Sequence, residues 1–257
     1  MKNSAKVWDE VWKDKGLIRE DKIILANEES KILWKRLNKI LRQEHKTLKG
    51  IKVIEIGSGT GTVSSLMAKR GAKITLLDFS AQALKRAKEF YSNNGLSAEL
   101  IEGDALNMPN KLKGKFDISL SVGLTEHFKG RKRESINKAH LDVLKKGGLA
   151  IIIVPNKYNL PYRIFKKTYE LTGKWKYGEE YPYSRKELLS FGVKFKSSVV
   201  ALFGDDLYSS IKFLLPANFL RRMAGVGFPR SLKEIKKEKG TPLDNYLSYA
   251  LILVLRK

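Results

Sequence analysis

The stretch VIEIGSGTGT, Val53–Thr62, decides the fold. A short apolar run of strand type ends in Gly57-Ser58-Gly59-Thr60-Gly61 and passes directly into a helical pattern. Glycine reaches backbone angles barred to other residues and leaves no side chain between the chain and a ligand. A helix N-terminus placed behind such a loop presents unpaired N–H groups and positive potential. On its own, a glycine cluster of this kind fits any nucleotide-like ligand.

Neighbouring residues narrow the ligand. Asp78 closes the next strand pattern, 21 residues after Gly57, where a carboxylate can accept hydrogen bonds from ribose hydroxyls. The glycine spacing is GxGxG, and Thr62 stands where a dinucleotide fingerprint requires Gly or Ala; no GxxxxGK[ST] occurs, which excludes a P-loop phosphate cradle. Glu55 lies just before the loop, where its charge would repel a pyrophosphate but could orient an amino group. The expected ligand is a nucleoside without phosphates and with a cationic end.

Outward from the loop, short apolar runs alternate with amphipathic segments, the pattern of βαβ units on a parallel sheet. Strands are expected at Lys52–Ile56, Lys73–Asp78, Ala98–Glu102, Phe116–Ser121 and Leu149–Val154. Helices are expected at Thr62–Arg70, Ala81–Tyr91 (capped by Ser80) and Arg133–Leu144, the last stopping at Lys145–Gly148. Before the core, apolar residues at helical spacing over Val7–Leu41 predict two or three short helices. Beyond Pro155 the pattern loosens into an aromatic-rich stretch, a Ser184-capped helix at Arg185–Phe191, a strand at Val193–Phe203, an insertion at 205–240 and a closing strand at Tyr246–Leu255. The fold class is therefore α/β: a Rossmann-like doubly wound sheet, mostly parallel with an antiparallel last strand, with N-terminal helices and a helical or irregular lid insertion.

Composition excludes several chemistries. The 257 residues contain no cysteine, which removes disulfides, thiolate zinc sites, iron–sulfur clusters and cysteine nucleophiles. With only His45, His127 and His140, a histidine-rich metal site is not expected. No apolar run approaches the roughly 18 residues that span a bilayer, and the first residues lack the apolar core of a signal peptide, so a cytoplasmic protein is expected. The formal charge is +23; residues 151–257 carry 20 Lys/Arg against 9 Asp/Glu, so the excess is densest after the cofactor region. Such a field attracts nucleic acid, anionic lipid or acidic small molecules, and it is equally the solvated surface of a Lys-rich protein.

The order and spacing of these segments resemble the class I S-adenosylmethionine-dependent methyltransferases over roughly residues 50–156, in the small-molecule branch typified by ubiquinone and menaquinone biosynthesis. EIGSGTG (Glu55–Gly61) is similar to the first motif of that family, which wraps the methionine part of the cofactor through Glu55, Gly57, Ser58, Gly59 and Gly61. LLDFS (Leu76–Ser80) resembles the second, with Asp78 on the ribose and Phe79 beside the adenine; EGDA (Glu102–Ala105) resembles the third, with Asp104 at the adenine amino group and Ala105 near it. FDISLSVGLTEHF (Phe116–Phe128) is similar to the fourth-strand motif, adding Ser121 and Val122, and LKKGGLAIIIVPN (Leu144–Asn156) to the family's next loop and fifth strand. WDEVW (Trp8–Trp12) is similar to N-termini that cover the cofactor.

The resemblance implies S-adenosyl-L-methionine as cofactor and one methyltransferase domain over 1–257: a helical cap at 1–49, the cofactor-binding core at 50–156, and a substrate-side lid with the last strands at 157–257. Methyl transfer from a sulfonium is an in-line displacement that needs a base only when the nucleophile arrives protonated. His127, with Glu126 beside it just after the fourth strand, is the candidate base or substrate-orienting residue, with structural packing as its alternative; His140 reads as surface or packing. Tyr177–Tyr183 could wall an acceptor pocket, and Ile211–Met223 could shape a hydrophobic pocket or touch a membrane periphery. The expected acceptor is a small or lipid-like molecule. RNA or protein methylation through the basic surface stays open, as does a non-catalytic cofactor-binding protein; no metal is expected, and the oligomeric state is not legible.

Overall fold

The computed structural model describes residues 5–13, 21–205, 210 and 243–257. Its centre is a seven-stranded sheet in the order β3-β2-β1-β4-β5-β7-β6. The strands are β1 (Lys52–Ile56), β2 (Lys73–Asp78), β3 (Glu99–Glu102), β4 (Phe116–Val122), β5 (Leu144–Pro155), β6 (Ser198–Gly204) and β7 (Ala250–Arg256). Neighbours among β1–β5 pair in parallel, whereas β7 runs antiparallel to both β5 and β6. The expected fold class is thus present, with one refinement: the antiparallel strand lies one place in from the edge, which β6 occupies.

Apolar continuity explains which strands are central. Val53, Ile54 and Ile56 of β1, Ile118 and Leu120 of β4, and Leu149–Val154 of β5 are all buried, as strands covered on both faces must be. Two clusters divide the core between the faces. One gathers Val53, Leu76, Ile118, Ile151 and Ile252 with Trp34, Leu37 and Leu41; the other gathers Ile54, Leu77, Ile152 and Leu253 with Ile136, Leu188 and Phe191.

The helices are α1 (Ala5–Lys13), α2 (Asp21–Ser30), α3 (Ile32–His45), α4 (Thr62–Ala68), α5 (Ala81–Asn93), α6 (Gly130–Asp142), α7 (Leu160–Leu171) and α8 (Arg185–Lys194). Among the described residues three helices precede β1, in line with the reading of Val7–Leu41. Ser80 and Ser184 cap as expected: Ala83 N–H donates to Ser80 Oγ (3.1 Å) and Glu187 N–H to Ser184 Oγ (3.1 Å).

Departures from the sequence reading have local causes. The stop at Lys145–Gly148 is a bulge within β5: Phe116 pairs with Leu144, the register then jumps to Ile118 opposite Leu149, and Gly147 takes a left-handed φ of 79° to make the excursion. Within the stretch read as irregular, α7 forms because Asn159 Oδ1 accepts from Tyr162 N–H (2.8 Å) and Pro161 sits in the first turn. Val193 belongs to the end of α8, 86% exposed, so β6 starts five residues later than expected. Residues Asp244–Leu247 form a helical turn instead of opening β7. Of the expected insertion at 205–240 only residues 205 and 210 are described; the rest, with Ile211–Met223, lies outside the described residues. Among those described, no helix is long and apolar enough to cross a membrane.

A buried ion pair docks α2 on α5. Asp21 and Arg86 are 6% and 5% exposed, and both guanidinium Nη atoms donate to the carboxylate, Nη1 at 3.1 Å; Asn93 Nδ2 donates to the same carboxylate at 2.7 Å. Removing Asp21 takes the short ion pair from a buried guanidinium, whose Nη1 otherwise lies 3.8 Å from Glu89 Oε2. Asp21→Ala is expected to lower unfolding free energy by about 3 kcal/mol in urea titration; a change within about 0.5 kcal/mol would show that the pair does not carry the docking.

Candidate functional site

The sheet order reverses at β1: β2 and β3 run off one side of it, β4 and β5 off the other. In an open α/β sheet a crevice opens at this switch point, beyond the carboxyl ends of the strands. Here it is a cavity of about 740 Å³, a volume typical of small-molecule sites.

The glycine loop forms one wall. Gly57, Gly59 and Gly61 all have left-handed φ, of 62°, 52° and 66°. The turn is tied to β2: Gly57 and Ser58 N–H both donate to the Leu77 carbonyl (2.8 and 3.1 Å), and Gly59 N–H donates to Asp78 Oδ2 (2.8 Å). Asp78 Oδ1 meanwhile accepts from Ser80 N–H (2.9 Å), so this one carboxylate fixes both the loop and the start of α5. Burial pushes the Asp78 carboxyl up from its ordinary value, opposed by those backbone donors. Gly61 is a different case. It caps α4 against Leu76 and Ser64, where a Cβ would lie 2.9 Å from Leu76 Cδ2, and it is not on the cavity wall.

Glu55 reaches the cavity from the middle of the sheet and is only 2% exposed. Its Oε2 accepts from Ser64 N–H (3.3 Å) and from Ser64 Oγ, which is also 2.9 Å from Tyr91 Oη; Tyr91 in turn donates to the Gly61 carbonyl (3.1 Å). Burial raises the Glu55 carboxyl to about 7 despite the Ser64 donors. A cationic ligand would return it to the charged form.

Phe79, Asp104, Ala105 and Val122 also line the cavity. Asp104 is exposed and caps a short turn, accepting from Leu106 N–H (2.9 Å) and Asn107 Nδ2 (2.8 Å). Ser121 is fully buried within β4 and off the wall. Helix α1 lies over the loop: Trp12 stacks so closely on Gly59 that a Cβ there would be 2.6 Å from Trp12 Cζ2, and Ser80 Oγ donates to Asp9 Oδ1 (2.6 Å).

The far wall follows β4. His127 is 8% exposed, lines the cavity, meets Trp8 edge-on (5.0 Å between centroids), and has Nδ1 2.8 Å from the Glu179 carbonyl. Burial lowers its pKa, keeping the imidazole neutral. Glu126 is not on the cavity wall; it is 2% exposed, and burial raises it well above an ordinary glutamate. His140 is fully buried and pushed down to about 3 by burial, a packing residue as one of the two expectations had it. Of the aromatic stretch, Tyr181 does reach the wall, together with Glu179. Leu124, Phe128, Lys129 and Lys132 were not singled out by sequence; their only signal is proximity to the end of β4.

Comparison with known proteins agrees with this geometry. Residues 53–148 match the family model of the methyltransferase domain. The 2-methyl-6-phytyl-1,4-hydroquinone methyltransferase 1 of Oryza sativa subsp. japonica is 36% identical over 108 residues, 41% of this chain and 31% of that protein. A ubiquinone biosynthesis O-methyltransferase of Stutzerimonas stutzeri is 31% identical over 114 residues, 44% of this chain and 48% of that protein. The chain thus matches less than half the length of these relatives. In fold it is similar to magnesium protoporphyrin IX methyltransferase of Synechocystis PCC 6803, with a TM-score of 0.60 at 12% identity, covering 98% of this chain and 93% of that one. Residues 53–148 thus match a methyltransferase domain, on a fold similar to that of a solved methyltransferase.

Proposed function

We propose that this chain transfers the methyl group of S-adenosylmethionine to a small or lipid-like acceptor, a hydroxylated ring of the quinol kind being the acceptor class its relatives favour. The observation that carries the reading is one cavity bounded by the Glu55 and Asp78 carboxyls with their glycine loop, and by His127, Phe128 and Tyr181. The first group suits a nucleoside with a cationic end: two buried carboxyls repel phosphate, and the left-handed glycines leave the backbone bare. Two solved structures of the Synechocystis enzyme of similar fold hold S-adenosylhomocysteine and S-adenosylmethionine. We take the whole chain as one domain, with 1–49 as cap, 50–156 as cofactor core and 157–257 on the substrate side.

S-adenosylmethionine, when bound, supplies an electrophilic methyl group on a positively charged sulfur. In this reading Glu55 pairs with the ammonium of its methionine end, Asp78 accepts from the ribose hydroxyls, and Phe79, Asp104 and Ala105 flank the adenine. Gly57, Ser58 and Gly59 give close backbone approach, with Gly61 setting their turn and Ser121 and Val122 forming the end of β4 beneath. Trp12 and Trp8 roof the site and exclude water. The reaction joins the methyl carbon to an acceptor oxygen and leaves a neutral thioether; the acceptor's proton must depart. His127, neutral and on the wall, is suited to orient that hydroxyl or take its proton, and Glu126 positions the turn that carries it.

A nucleic-acid acceptor is a second reading, motivated by the net charge of +23 and by exposed Lys129 and Lys132 at the cavity. Incubation of the chain with methyl-labelled cofactor and fractionated cell extract separates the readings. Label is expected in the lipid or small-molecule fraction; label confined to RNA or protein would overturn the acceptor class, and no label at all would mean a binding protein without transferase activity. Once an acceptor is in hand, His127→Ala is expected to slow single-turnover methyl transfer by roughly 10²-fold while leaving cofactor affinity unchanged. An unchanged rate would reject the role of His127.

A further inference from the structure

The cavity is divided by charge. Its lining carries the carboxyls of Glu55, Asp78 and Asp104 on the cofactor side, and the ammonium groups of Lys129 and Lys132 where α6 begins. A ligand with a sulfonium and an ammonium is drawn to the first set and repelled by the second. Its own carboxylate does not change this: it shares a carbon with the ammonium, so with the ammonium on Glu55 it stays at the glycine loop. The two lysines are left facing the acceptor.

Their backbone is fixed while their head groups are not. Lys132 follows Lys129 by three residues and shares its side of the helix. Arg133 pins the segment beneath them: its Nε donates to the Phe128 carbonyl (2.8 Å), its Nη1 to Glu187 (2.6 Å), and its guanidinium lies 3.9 Å from the centre of the Tyr183 ring. Lys129 Nζ sits 5.1 Å from the centre of the Tyr181 ring, and Tyr181 is itself held by its N–H on the Glu126 carbonyl (2.7 Å).

Acids near α6 are engaged by other cations: Glu134 pairs with Lys194 (2.5 Å), Asp142 with Lys138 (2.7 Å) and Glu187 with Arg133. Among the described residues neither Lys129 nor Lys132 belongs to an ion pair. Glu179 shares the wall and offsets part of the Lys129 charge. The hydrogen bond from Tyr181 Oη (2.6 Å), and to a lesser degree Lys129, holds the Glu179 carboxyl below its ordinary value. Two ammonium groups against one carboxylate leave this side positive, and a concave wall concentrates that field on whatever enters.

We propose that Lys129 and Lys132 select an acceptor that carries an anionic group, a carboxylate or a phosphate, apart from the hydroxyl that is methylated. This inference deepens the small-acceptor reading and rests on it. Lysine serves either oxyanion as a point charge. Phe128 and Tyr181 flank the lysines on the same wall, which suits an anion borne on a flat apolar body. Holding the anion at α6 fixes one end of the acceptor, and the hydroxyl at its other end is thereby directed to His127 and the methyl group. Both lysines act by positioning; neither touches the reacting atoms.

The test uses the full chain and the acceptor it finds for itself. Methyl-labelled small-molecule product from cell extract is passed over an anion exchanger at neutral pH, before and after treatment with a phosphatase. Retention is expected; loss of retention after the phosphatase identifies a phosphate, and its persistence a carboxylate. With the purified acceptor, Lys129→Met and Lys132→Met should each raise KM by about tenfold, the worth of one hydrogen bond to a charged group. The loss falls on KM instead of kcat, and Lys129→Arg and Lys132→Arg keep most of the native value. Affinity for S-adenosylhomocysteine should stay within about twofold in all four variants, which also shows that they fold. A labelled product that is neutral, or KM unchanged in both Met variants, would overturn this inference and leave the small-acceptor reading standing. A matching loss of S-adenosylhomocysteine affinity would give the lysines to the cofactor and overturn it too. Label confined to RNA or protein, or none at all, would overturn both.

Discussion

A carboxyl group in the middle of the sheet sets the terms for everything around it. Glu55 stands on β1 with Leu76 of β2 on one side and Leu120 of β4 on the other, in a position where a parallel sheet normally carries an aliphatic residue. Its oxygen is held by Ser64 on α4, whose hydroxyl meets Tyr91 on α5, whose hydroxyl reaches the Gly61 carbonyl. One polar chain therefore links the first strand, both flanking helices and the glycine turn. The turn can stay that tight only because Gly57, Gly59 and Gly61 accept left-handed angles.

That arrangement is costly without a ligand. A carboxyl raised to about 7 is roughly half charged at neutral pH, buried, and close to a second raised carboxyl at Asp78. Strongly perturbed acids lining a cleft mark functional sites more often than structural ones. Helix α1 completes the enclosure by laying Trp12 on Gly59 and Asp9 on Ser80, so the roof depends on the same glycine and the same helix cap that shape the floor. The loop, the acids and the roof then form one cooperative unit, joined to a second wall whose residues derive from the end of β4, the start of α6, Glu179 and Tyr181.

The core of this arrangement was legible in sequence because each part has a local signature. Apolar runs flanked by glycines and caps marked β1, β2 and α5 nearly to the residue, and glycine spacing with Asp78 marked the crevice. The rest depends on tertiary contacts that leave little local trace. The bulge at Lys145–Gly148 resembles a helix stop, since Gly147 serves either purpose; what makes it strand is pairing with β4 on one side and Lys257 on the other. The helix at Leu160–Leu171 hides under aromatics that pack among themselves, Phe165 on Tyr169 and Tyr162 on Trp175. Gly61 and Ser121 match the motif in sequence yet face packing, because the chain alternates or turns away from the cavity there. Glu126 sits beside His127 in sequence but is not on the wall, which its place in the sequence does not show.

In the proposed reading Glu55 is the partner of the cofactor's cationic end, which would tie the sheet's buried charge to function. Below about pH 7 the free protein's Glu55 is protonated and neutral; above it the carboxylate is ready for an ammonium, so affinity must rise with pH through that range. Calorimetric titration with S-adenosylhomocysteine, which keeps the amino-acid end without the sulfonium charge, tests this most directly. Between about pH 6 and about pH 7.5 the native chain should come to bind more tightly by several-fold to about tenfold, and Glu55→Gln should bind more weakly with no such dependence. Equal affinity in the two proteins, or a pH-independent native chain, would contradict that role for Glu55.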